Sequence, residues 1–290
     1  MFTLRDLLFG VGLPALVAGV VFCIAWRPWP PGSPIVVRNW AAPVSLGAGF
    51  GAGFLGIVGW PGVPPVESND WLLLFSVLLT IFGFLDSVTR PPSWVRWLHA
   101  VTDFALVVCL LLWPVIRNSW SPSEAIVQIF TLLVLLGFTW VLLELLAAAP
   151  GGSLALELSC VTSLAGLTLM LSASQKLGQI GGVLASALGG YTCVAWWAGS
   201  RLGREAIAGF VVLFDGLLIC GHSFAQLTAL NAVLLSAAPL AALVRRTPFA
   251  QRLAGWQQTL LGLFAVLVPA GTAAVLAAIE FARSVSAYEY

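Results

Sequence analysis

Residues 122–147 read PSEAIVQIFTLLVLLGFTWVLLELLA, and between Glu124 and Glu144 no charged residue interrupts them. As a helix this run is longer than the roughly 30 Å hydrocarbon core of a bilayer at about 1.5 Å per residue. Its start is also marked. Ser121-Pro122-Ser123-Glu124 supplies an N-cap hydroxyl, a proline at the first helical position and a glutamate at the third, the capping-box arrangement.

Segments of the same kind recur on both sides. The pattern predicts helices near 7–26, 42–60, 70–88, 94–116, 122–147, 154–174, 177–198, 205–222, 224–244 and 250–280. The fold class expected is all-α: a polytopic transmembrane bundle of about ten helices (8–10), residues 1–290 forming one transmembrane domain with no soluble domain. Ser93 after Pro91-Pro92, Ser153 after Gly151-Gly152, and Thr247 before Pro248 read as shorter start signals. Leu7–Trp26 lacks a small-residue cleavage site and is expected to be a retained first helix. The glycine-rich second segment is the weakest and the one that need not span fully.

Composition agrees. The chain is 60% hydrophobic and 9% charged, with mean hydropathy +0.99, against roughly 25% charged in an ordinary soluble domain. Its net charge of +1 comes from scattered single residues, so nothing offers a footprint for nucleic acid. Cys23, Cys109, Cys160, Cys193 and Cys220 sit in apolar segments without a CxxC pair, which points to small core residues and not to metal or disulfide roles. The tryptophans fall at or just beyond expected helix ends, where an indole is half wet; Trp140 alone lies inside.

Orientation follows from the positive residues. Arg27, Arg38, Arg90, Arg96, Arg201, Arg204, Arg245, Arg246 and Arg252 share one side, and Arg5, Arg117, Lys176 and Arg283 the other. Nine against four places both termini outside the cytoplasm, in the cell membrane. Omitting the second helix would weaken this to eight against five, which favours keeping it. Cys23-Ile24-Ala25-Trp26 and Cys193-Val194-Ala195-Trp196 are alike, but without matching neighbours they read as coincidence and not as an internal repeat.

The sharpest candidate site is Asp215, near the middle of the eighth helix, where a carboxyl is costly. A tight connection around Ser223 would bring Asp215 level with Asn231 on the ninth helix. Thr228 shares the face of Asn231 and His222 that of Asp215, so these four form a polar strip suited to binding a substrate or ion. The plainer alternative is an interhelical clamp between Asp215 and Asn231. Asp86, His99 and Asp103 form a second, interfacial group, read as an ion-pair network with Arg90 and Arg96 or as a gate. Glu144 and Glu157 are expected at one membrane face. Gly47 with Gly51, Gly49 with Gly53, and the series Gly178, Gly182, Ser186, Gly190 are small-residue seams for close helix packing.

Gly221-His222-Ser223-Phe224-Ala225 imitates a nucleophile elbow, but that motif requires a strand-to-helix turn and here joins two membrane helices. No phosphate-binding loop, HExxH or dinucleotide fingerprint is present, so no catalytic residue, metal ligand or cofactor is assigned. His99 and His222 are the only histidines. The leading expectation is a transporter-like bundle for a small solute or lipid-like substrate, with membrane lipid as its surroundings. The alternatives are a structural or assembly subunit, and a membrane-embedded enzyme using Asp86, His99 and Asp103 on a lipid or isoprenoid.

Overall fold

The computed structural model describes residues 4–26, 40–62, 65, 67–89, 91–147, 153–198, 200 and 202–287. Arg27, Arg38, Arg90, Arg201 and Trp29, and the pair Gly151-Gly152, lie outside them. Among the described residues the chain is helical without strands. The helices are α1 (Leu4–Ala25), α2 (Ala41–Ile57), α3 (Trp71–Thr89), α4 (Ser93–Leu111), α5 (Pro122–Ala147), α6 (Ser153–Leu171), α7 (Gln175–Ala198), α8 (Arg204–Phe224), α9 (Ala229–Arg246) and α10 (Gly255–Ala287). Nine of these ten are long and apolar enough to cross a membrane; α2 is shorter. The protein is an all-α, multi-pass membrane bundle.

Glycine contacts fix the direction of α2. A Cβ on Gly49 would meet Ala18 at 2.8 Å, one on Gly53 would meet Pro14 at 2.4 Å, and one on Gly56 would meet Phe9 at 2.6 Å. As numbers rise along α2 they fall along α1, so the two are antiparallel. Gly47 meets Thr80 and Gly51 meets Leu73, which makes α3 antiparallel to α2 as well. On a third side Gly49 meets Ala187 and Gly53 meets Val183 of α7. The helix whose span was in doubt therefore lies between three spanning helices and runs against all of them. Its 17 residues cover about 26 Å.

Prolines explain where the expected helices are altered. Pro14 cannot donate to Gly10, and the turn before it widens to a π-helix over Leu8–Gly12, with Leu13 N–H donating to the Leu8 carbonyl. The fourth helix, expected to reach residue 116, ends at Leu111. A separate short helix, Trp113–Asn118, follows with Pro114 in its first turn. The expected ninth helix, 224–244, is corrected more deeply. It starts at Ala229, and after Ala237 becomes a 3₁₀-helix, Ala238–Arg246, because Pro239 cannot donate to the Leu235 carbonyl. Nine α-helical and nine 3₁₀ residues still add to about 31 Å, enough to cross.

The start signals divide. Ser121 and Glu124 make the capping box: Ser121 N–H donates to Glu124 Oε2 at 2.9 Å, and Glu124 N–H to Ser121 Oγ at 3.4 Å. Ser93 does not cap, because Pro92 holds the N-cap position. Thr247 starts only the 3₁₀ turn Ala250–Arg252, with Ala250 N–H donating to its hydroxyl; α10 begins at Gly255, five residues later than expected. Ser153 opens α6 with its hydroxyl buried and unpartnered. Cys220 is buried, but Cys23 and Cys193 face outward, a correction to their reading as core residues. Trp140 is buried as its position implied, with its ring edge-on to Trp97 at 4.7 Å.

Among the described residues, most of the charged side chains lie toward the two ends of the bundle. At the end where α1 begins, Lys176 pairs with Glu67 and lies 3.9 Å from Asp70, tying α7 to the segment before α3. We call this the terminal end, since α10 also finishes there. At the opposite end Arg96 pairs with Glu144, and Arg245 with Glu157.

Candidate functional site

Asp215 stands eleven residues after Arg204 and nine before Phe224, in the middle of α8, and is 3% exposed. The polar strip around it is arranged differently from expectation. α8 continues to Phe224, and the link to α9 is the extended stretch Ala225–Thr228, closed by Ala225 and Leu227 N–H groups donating to the Gly221 carbonyl. Gln226 N–H donates to the Ser172 carbonyl at 3.1 Å, so this link is also tied to the one between α6 and α7. The turn is therefore longer than a tight connection at Ser223. The residue that reaches Asp215 is Ser236, whose hydroxyl donates to Asp215 Oδ1 at 3.2 Å.

The four predicted strip residues thus separate. Asp215 and His222 line one cleft, while Asn231 is fully buried off that cleft, with both side-chain polar atoms unpartnered. Thr228 caps α9: its hydroxyl accepts from Asn231 N–H. His222 Nδ1 lies 3.0 Å from the Leu227 carbonyl and braces the turn. Ser236 escaped the sequence reading because its partnership depends on the length of the link. The usable signal was Pro239, which shifts the helix geometry beside it.

The cleft has a volume of about 580 Å³. Its back wall is α8, with Asp215, Leu218 and His222; its sides are α5 and the first half of α9. From Trp120 and Gln128 near the terminal end it runs down to Asp215 and on to Leu240. Within it the lining is mainly leucine and alanine, and among the described residues no lysine or arginine reaches it. Asp215 Oδ2 is buried without a partner.

Asp86, His99 and Asp103 do come together, at the opposite end. His99 Nδ1 lies 3.4 Å from Asp86 Oδ1, outside hydrogen-bond geometry, and its ring packs on Phe82. With Asp103, Arg96 and Glu205 they surround a cavity of about 30 Å³, room for about one water. Arg96 is committed to Glu144 and not to this group.

Glu144 and Glu157 lie at one end, as expected, but Glu157 is fully buried, with its two oxygens 3.1 and 3.4 Å from Arg245 Nη1. Gly262 of α10 lies against this pair, where a Cβ would come within 2.3 Å of Glu157 Oε1. The glycine seams are packing surfaces: a Cβ on Gly190 would stand 2.1 Å from the Ala15 carbonyl oxygen, and one on Gly178 would overlap Met170. Gly182 has open space beside it, so the α7 series is not one continuous contact.

No known protein family, no curated protein and no solved structure matches this chain.

Proposed function

We propose that this membrane bundle is transporter-like and carries a small solute or lipid-like substrate through the cleft at Asp215. One observation carries the reading: a buried acid in mid-helix faces a cavity within the roughly 300–1,000 Å³ range of small-molecule sites, and one of its oxygens has no protein partner. Replacing Asp215 with Asn is expected to abolish transport in reconstituted vesicles while leaving expression intact. Unchanged uptake by the variant would remove the proposal.

The Ser236 bond supports a second reading, a structural subunit in which Asp215 only clamps α8 to α9. Under it the same Asn variant would lose some stability and no activity, and the protein would purify with stoichiometric partners. The enzyme reading gains no support, since the space beside Asp86, His99 and Asp103 holds about one water and no lipid.

Orientation belongs to the same proposal: the cell membrane, with both termini outside. It is supported by the nine-against-four division of positive residues along the sequence; the described ones place Arg96, Arg204, Arg245, Arg246 and Arg252 opposite the terminal end and Arg5, Arg117, Lys176 and Arg283 at it.

A further inference from the structure

The cleft constrains what can occupy it. Phe138 and Val233, on its two side walls, are 56% and 64% exposed and lie within the apolar spans of α5 and α9, so the cleft is open sideways between these helices. The 3₁₀ half of α9 packs against α5, and its Leu240 lines one end of the cleft. The cleft's volume of about 580 Å³ lies within the range of small-molecule sites. It suits one small, mostly apolar molecule.

Polarity narrows the choice. Among the described residues Asp215 is the only acid in the cleft and no lysine or arginine faces it there, and Asp215 Oδ2 lacks a donor. Burying such an oxygen without a partner is costly, and a charged donor makes the stronger bond. An amine is a charged donor of this kind.

We propose, resting on the reading of this cleft as a binding site, that its occupant is a single-chain amphiphile with an amine head. It is taken sideways from the bilayer between α5 and α9. Its N–H group donates to Asp215 Oδ2, while Ser236 holds Oδ1, and its chain lies along the leucine-lined walls. The probe is radiolabelled dodecylamine, with dodecanol and dodecanoate as comparisons, added to the purified protein in lipid nanodiscs.

Saturable binding of dodecylamine is expected, at least about tenfold tighter than dodecanol, with dodecanoate excluded. Asp215→Asn should weaken amine binding by about tenfold or more. Ala232→Trp, which fills the cleft one turn above Ser236, should abolish it; size-exclusion profiles matching the parent chain would establish that both variants fold. Equal binding of all three chains overturns the proposal, as does undiminished amine binding in either folded variant. Amine binding without movement across proteoliposomes keeps this inference and removes the transport reading. Transport of a water-soluble solute without amine binding does the reverse.

Discussion

Asp215 and Glu157 are both buried acids in this bundle, and their neighbours give them opposite roles. Glu157 is matched by Arg245 and packed under Gly262, so it is a fastener. Asp215 is held at one oxygen only, by Ser236. Ser236→Ala is expected to cost roughly 0.6–2 kcal/mol, the scale of interhelical hydrogen bonds in membranes, measured by reversible unfolding in mixed micelles. Arg245→Met should cost about 3–5 kcal/mol, because Glu157 would be left buried and unpaired. The double variant Arg245→Met with Glu157→Leu should recover much of that loss, and a double variant as unstable as Arg245→Met alone would show that the pair is not what holds α6 to α9.

At the scale of elements, Ala173 is a non-glycine residue in the left-handed region, with φ +65°. It ends α6 in a Schellman turn, with Ser174 N–H donating to the Leu169 carbonyl. Ala173→Gly is expected to stabilise the protein by about 1 kcal/mol, read as a rise in the unfolding midpoint; a fall would mean that the Ala173 methyl packs usefully. Segments and their order were legible in the sequence because hydrophobic length and the Ser121–Glu124 box act locally. The pairing of Asp215 was not, since it depends on four link residues, Ala225–Thr228, and on the turn fastening Gln226 to Ser172. The 3₁₀ stretch after Ala237 was signalled by Pro239, but hydropathy, which counts side chains and not backbone donors, passes over it. Gly49 and Gly53 were legible as a seam, though not as one shared between α1 and α7.

For the whole molecule, the proposed orientation predicts that a protease site appended after Tyr290 is cut in intact cells, and that a tag in the link between α9 and α10 is cut only after lysis. The reverse pattern would invert the bundle. The direction of each helix relative to its neighbours would be unchanged, because the glycine contacts fix it independently of the side on which the termini lie.

The position of α2 has a consequence in time. Its glycine face is closed by Ala187 and Val183 of α7, residues synthesised more than 120 positions after it. Until α7 emerges, the backbone at Gly49 and Gly53 has only α1 beside it and borders lipid or the insertion machinery. A nascent chain cut short after α6 should therefore hold α2 poorly, and this helix should be the first that quality control recognises.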